Sequence, residues 1–368
     1  MSRKLQIASV LLFLMFAVDM HAKSGDSRPS DPEATGRTVE LFARMENLMS
    51  RGVMIGHQDD LAYGHQNYRP GVSDVKKISG DYPAVIGWDI GHLELGNEHN
   101  LDSVYFSVMK EQIRKTDARG GITTISWHCD NIVTGGSTWD VSSDEVVSSV
   151  LPGGANHDRY MGWLDSLALF FKSLKDRSGN DIPVIFRLYH EHTGSWFWWG
   201  KAHCSPSDYI AMWRMTVDYF RTSGVHNLLI AYSPGDCMTA EEYMERYPGD
   251  EYVDVVGFDI YQNGNDASGY SAAMSRNIDI VTDYASVSGK IPAISETGSE
   301  GIPQKDYFTS VIWPLLQGRE LSYILFWRNA YEQDKPGHFY LPYKGHPAAS
   351  DFVELLSYPR ILMNKDIR

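Results

Sequence analysis

Two glutamates carry the chemistry this sequence suggests. Glu191 ends the apolar run Val-Ile-Phe-Arg-Leu-Tyr-His-Glu at 184–191, and Glu296 ends Pro-Ala-Ile-Ser-Glu at 292–296. A carboxyl kept protonated can donate to a leaving oxygen, and an ionised one can attack an anomeric carbon; together they hydrolyse a glycosidic bond. The neighbours suggest which is which. Tyr189, His190 and the stretch Gly-Ser-Trp-Phe-Trp-Trp-Gly at 194–200 could desolvate Glu191 and favour its acid form. Arg328 and Tyr261, placed on adjoining strands, could favour the charged form of Glu296. Glu191 is therefore read as acid/base and Glu296 as nucleophile.

Such a pair needs a frame that brings together residues 105 positions apart. Short apolar runs at 53–57, 84–89, 122–128, 184–191, 228–233, 253–261, 293–296 and 323–328 alternate with amphipathic stretches such as 103–118, 157–177, 207–223, 270–287 and 305–317. Strands alternating with helices imply parallel βαβ units. Eight of them predict an α/β fold, a (β/α)8 TIM barrel formed as a single domain over residues 37–368. No Gly-x-Gly-x-x-Gly follows the first strand, against a dinucleotide fold. Polar and aromatic residues gather at the ends of the runs: His57, Gln58, Asp89, His128, His190, Glu191, Asp259, Tyr261, Glu296, Trp327 and Arg328. In a barrel these ends share one face, where active sites are built. At about 30 residues per unit, Glu191 falls on strand four and Glu296 on strand seven, facing each other across the mouth.

Aromatic rings stack on the apolar faces of sugars. Trp196 is the expected substrate contact in the 194–200 loop, with Phe197, Trp198 and Trp199 more structural, and Trp327 is a second platform. His128 and His190 could bind sugar hydroxyls or simply pack. His190-Glu191-His192 looks like a ligand cluster, but alternate strand residues face opposite ways, and the helical His-Glu-x-x-His of a zinc protease is absent. No catalytic metal and no cofactor are expected.

The formal net charge of -14 disfavours nucleic acid and anionic polymers, leaving a neutral partner. Residues 1–22 have a basic start, an apolar run from Leu5 to Val18 and a small residue at Ala22, the pattern of a secretory signal peptide. The run is shorter than the roughly 20 residues of a spanning helix. A periplasmic or extracellular, soluble and monomeric protein is expected, with no membrane anchor after cleavage. Residues 23–36, polar and rich in Pro and Gly, read as a flexible leader. Cys129, Cys204 and Cys237 lack metal-like spacing; one disulfide is conceivable, Cys204 with Cys237.

At these residues the sequence resembles glycoside hydrolase family 26, chiefly its β-mannanases. The likeness rests on Ile-Gly-His-Gln at 55–58, Trp-His at 127–128, Arg-Leu-Tyr-His-Glu-His-Thr-Gly-Ser-Trp-Phe-Trp-Trp-Gly at 187–200, Gly-Phe-Asp-Ile-Tyr at 257–261, Ser-Glu-Thr-Gly at 295–298 and Phe-Trp-Arg-Asn at 326–329. The resemblance implies a barrel, retaining hydrolysis, Glu191 as acid/base and Glu296 as nucleophile. It further implies substrate contacts at His128, His190, Trp196, Tyr261, Trp327 and Arg328. In this reading Tyr261 bonds the nucleophile, and His190 orients Glu191 or a sugar hydroxyl. The implied activity is hydrolysis of β-1,4 linkages in mannan, glucomannan, galactomannan or manno-oligosaccharides, within the chain or by release of mannobiose. A β-glucanase or β-xylanase on the same scaffold, and a carbohydrate-binding protein without catalysis, are the competing expectations.

Overall fold

The computed structural model of the protein describes residues 28–368; the expected signal peptide lies outside the described residues. Eight parallel strands close into a barrel. In order they are Val53–Gln58, Val85–Asp89, Ile122–Ser126, Val184–Arg187, Leu228–Tyr232, a sixth in two pieces (Val255–Val256 and Asp259–Gln262), a seventh in two pieces (Ile291–Pro292 and Ile294–Ser299), and Tyr323–Phe326. Strand eight pairs with strands seven and one, which closes the ring. A short strand, Ile361–Leu362, pairs with the start of strand one.

Period-2 alternation decides what each strand shows to each side. On strand four Val184 and Phe186 join the outer layer against the helices, while Ile185 faces the barrel interior. Arg187, next in the alternation, follows Ile185 inward. The base of the barrel is closed by the helix Gly36–Arg51, whose Thr35 side chain caps the Thr38 N–H. Its apolar stripe Leu41, Phe42, Met45 and Leu48 packs on Met54, Val85, Ile185, Leu229 and Val255 from inside the barrel. Burying each such side chain is worth about 1.5–3 kcal/mol. The mouth at the opposite end stays free for polar residues.

Several strands are shorter than their sequence runs. Strand three stops at Ser126, strand four at Arg187 and strand eight at Phe326. His128, Glu191, Trp327 and Arg328 therefore stand in the loops just beyond the ladder. Tyr189 and Glu191 have φ of 44° and 54°, backbone that no strand can contain. Residues 28–35, within the stretch read as a leader, are tied to the base: Asp31 is buried and bonds His226 Nδ1 at 2.8 Å, and Ser30 Oγ bonds Asp254 at 3.1 Å. The disulfide suggested for Cys204 and Cys237 is not formed, and all three cysteines are free. Cys204 Sγ instead lies 3.2 Å from Arg246 Nη1, in a loop that the arginine also holds through the Cys204 carbonyl at 2.7 Å. Among the described residues no helix is long and apolar enough to cross a membrane.

Candidate active site

Glu296 owes its direction to one extra residue. Strand six pairs Val256 with Pro292 and then Asp259 with Glu296, and strand eight pairs Ile324 with Ile294 and then Phe326 with Thr297. Against both neighbours strand seven holds one residue too many just before Glu296. Ile294 faces the outer layer, so unbroken alternation would turn Glu296 outward too. The bulge reverses this, in the way bulges re-aim side chains beside active sites.

Inside, Glu296 meets two donors. Arg187 Nη2 bonds its Oε1, and the Tyr261 hydroxyl donates to Oε2 at 2.7 Å. Arg187 is 1% exposed, and its Nη1 bonds Asp259 Oδ2 at 2.7 Å. Burial works against the guanidinium charge, but Asp259 and Glu296 outweigh it and hold Arg187 above its usual value. Tyr261 is half-buried; desolvation first, then the Glu296 carboxylate, pushes its phenol well above the usual range, and it remains a donor.

Glu191 reaches the same point from the loop after strand four. Its N–H is anchored on the Ser233 carbonyl at 2.8 Å, and its Oε2 accepts from Trp196 Nε1 at 2.7 Å. Burial first, then the charges of Asp259 and Glu296, raise its carboxyl well above the normal carboxylate range. One oxygen each of Glu191, Asp259 and Glu296 lies within 4.8 Å of the others. Arg187 supplies the cation of this acidic group.

The other predicted residues divide. His128 sits on the mouth, its Nδ1 bonded to Asp89 Oδ2 at 2.7 Å and its ring 4.6 Å from that of His190. Burial opposes its charge, but Asp89 prevails and raises its pKa. His190 is pushed well below the ordinary imidazole value, by burial, Arg187 and His128, and stays neutral. Trp327 packs beside His128, ring centres 6.1 Å apart. Trp196 is 48% exposed, so an indole face is open while its N–H holds Glu191. Phe197, Trp198 and Trp199 are buried; Trp198 bonds the Cys129 carbonyl and Trp199 that of His190, both at 2.8 Å. His192 turns away, between Tyr209 and Tyr232 at 4.6 and 5.0 Å, so His190 and His192 do not converge on Glu191. His57 likewise faces the outer layer, bonded to Asp60 at 2.8 Å.

Arg328 does not serve Glu296 as the sequence suggested. It pairs with Asp102 at 2.8 Å and with Glu332 at 3.3 Å, and bonds the Tyr63 hydroxyl at 3.1 Å. The acids of the loops after strands two and eight capture it, and Arg187 takes the role. Arg187 lies in the Arg-Leu-Tyr-His-Glu run at 187–191, and its inward phase was readable there from Ile185. Trp139 was also missed: it is 49% exposed and stacks on His128 at 5.3 Å. A single Trp in the Gly- and Ser-rich stretch 135–139 was its signal.

A closed parallel barrel whose mouth holds an acid and a partnered carboxylate at this spacing defines a glycoside hydrolase of the two-carboxylate class. The model for glycosyl hydrolase family 26 matches residues 30–312, and the chain belongs to that family. A mannan endo-1,4-beta-mannosidase of Bifidobacterium adolescentis is 34% identical over 366 residues, covering 93% of this chain and 36% of its own length. The chain thus spans about a third of that relative. A mannan endo-1,4-beta-mannosidase of Bacillus subtilis strain 168 is 26% identical, with 75% of this chain and 79% of that protein covered. Among solved structures, a GH26 beta-mannanase from Bacteroides ovatus superposes with a TM-score of 0.88 at 46% identity, covering 90% of this chain and 96% of that one.

Proposed function

We propose that the protein is a retaining β-mannanase that cleaves β-1,4-mannosidic linkages. The observation that carries this reading is the spacing of Glu191 and Glu296. One oxygen of each lies within 4.8 Å of the other, which fits the roughly 5–5.5 Å between carboxyl groups of retaining pairs better than the roughly 6.5–9.5 Å that admits a water for inversion. Glu191 protonates the glycosidic oxygen as Glu296 attacks the anomeric carbon, and the bond to the leaving sugar breaks. Glu191, now a carboxylate, takes a proton from water, whose oxygen displaces Glu296 and restores the original configuration. Trp196, Trp327 and Trp139 offer ring faces for sugars, and His128 and His190 offer ring nitrogens.

The family relatives named for mannan support this substrate. Export is proposed with it, since a polysaccharide must be met outside the membrane; the apolar run behind Arg3 and Lys4 is the basis for that part. A soluble, secreted monomer is the form proposed.

Reducing-sugar release from mannan, lichenan and xylan is the test. Release from mannan alone or foremost is expected, and equal release from lichenan or xylan defeats the substrate assignment. In Glu296→Ala azide should yield a glycosyl azide of inverted configuration. Unchanged mannan cleavage in that variant ends the nucleophile assignment.

A further inference from the structure

Asp259 has no part in a two-carboxylate scheme, yet it is buried in the same site and paired in register with Glu296. Its Oδ2 accepts from Arg187 Nη1 at 2.7 Å and from Ser233 Oγ at 3.2 Å. Its Oδ1 is buried without a partner among the described residues.

The donors are shared unequally. Glu296 has Arg187 and Tyr261, and Asp259 has Arg187 and Ser233, whereas Glu191 has the Trp196 N–H and a water-facing side. One guanidinium cannot neutralise three clustered carboxylates, so a proton must reside on one of them. The least compensated is Glu191. Facing it are Asp259 and Glu296 as like charges, Arg187 as the opposite one, and the Tyr261 phenol. Around Asp259 stand Arg187, Glu296, Ser233, Ser295, and the phenols of Tyr243 and Tyr323; burial, against the pull of Arg187, raises its carboxyl to about 7, so it carries its charge above that pH.

Of the two like charges, that of Glu296 vanishes when it bonds the sugar. We propose that Asp259 is a positioning residue for the proton: on the alkaline side of neutrality its charge, which the reaction does not consume, keeps the proton on Glu191 until the leaving group takes it. The proposal rests on the assignment of Glu191 as the acid.

The test replaces charge without changing shape. In Asp259→Asn the basic limb of the kcat/KM profile on manno-oligosaccharides should move to lower pH, with activity at pH 8 falling about tenfold relative to the optimum, the effect of one neighbouring charge on a titration. The rate for an aryl glycoside limited by deglycosylation should change less, because that step needs Glu191 as a base. Asp259→Glu, which keeps the charge, should retain the wild-type limb. A limb unmoved in Asp259→Asn, or moved equally in Asp259→Glu, overturns the proposal. Carboxyl 13C NMR, with Glu191 assigned by Glu191→Gln, reads the same proton without substrate and should show a lower midpoint in Asp259→Asn. If that variant does not fold, the wild-type spectrum decides: Glu191 must titrate in two steps, one shared with Asp259, and a single independent step refutes the coupling. Wild-type protein inert on mannan but with Glu191 responding to Asp259 would sink the substrate reading and leave this one standing.

Discussion

The guanidinium of Arg187 meets the carboxylate of Glu296 across the barrel, Nη2 to Oε1, from positions 109 residues apart. The same guanidinium holds Asp259 through Nη1 at 2.7 Å. One buried cation thereby fixes the orientation of the proposed nucleophile and joins strand four to strands six and seven. Truncating one partner of a buried ion pair typically costs about 3–5 kcal/mol, because the stranded charges remain buried. Arg187→Met should lose stability of that order in urea denaturation and lower kcat on mannan. A variant as stable as the wild type would show that the pair is not fixed in solution.

Tyr261 makes the second bond to Glu296. Hydrogen bonds to charged groups contribute about 1.5–3 kcal/mol. Tyr261→Phe should therefore lower kcat roughly ten- to a hundredfold with KM little changed, since the bond acts on the reacting carboxylate. Steady-state kinetics on a mannan of known length give both quantities, and an effect confined to KM would assign Tyr261 to substrate binding instead.

Gly194 lets Trp196 lie over the backbone: a Cβ there would stand 2.3 Å from the indole. Gly194→Ala must push the ring aside and break its bond to Glu191. Because Trp196 is half exposed, the melting temperature should hardly move, while kcat/KM should fall on the order of tenfold, the loss of one hydrogen bond of about 1.5 kcal/mol. Equal falls for Gly194→Ala and the wild-type loop carrying Trp196→Ala would tie the effect to the indole.

The pair of Asp89 and His128 gives stability a pH window. His128 is raised, so its contribution is whole below the unfolded imidazole value of about 6.5 and is lost as pH rises through the folded one. Burial alone would raise Asp89, but His128 and further hydrogen bonds lower it, so its contribution is present above about pH 4 and is lost as pH falls through its lowered value. In Asp89→Asn burial acts on His128 unopposed by its partner, and the imidazole midpoint in proton NMR should drop. A midpoint that stays high would locate the raising charge elsewhere.

Much of this molecule is local and therefore legible. Apolar runs near eight strands, the amphipathic stretches between them, and the assignment of Glu191 to the fourth run and Glu296 to the seventh all follow from short-range patterning, which records what each segment must bury. The aromatic loop at 194–200 was legible for the same reason: Gly at both ends and crowded rings beside an acid. Strand ends were less so, because His128, Glu191 and Arg328 sit just past the ladder, where hydrogen bonding to other segments sets the backbone.

What only the closed barrel decided is long-range. The bulge that turns Glu296 inward is visible in its pairing with strands six and eight, and no property of residues 292–296 alone reveals it. The sequence offered Arg328 to Glu296, and Arg187 took that place; the acids that surround Arg328, Asp102 and Glu332, come from two different loops. Sequence specifies which face a residue prefers, since burial is a local cost. The partner a buried charge finds depends on which distant segments closure brings within a few ångströms, where the Coulomb energy is spent.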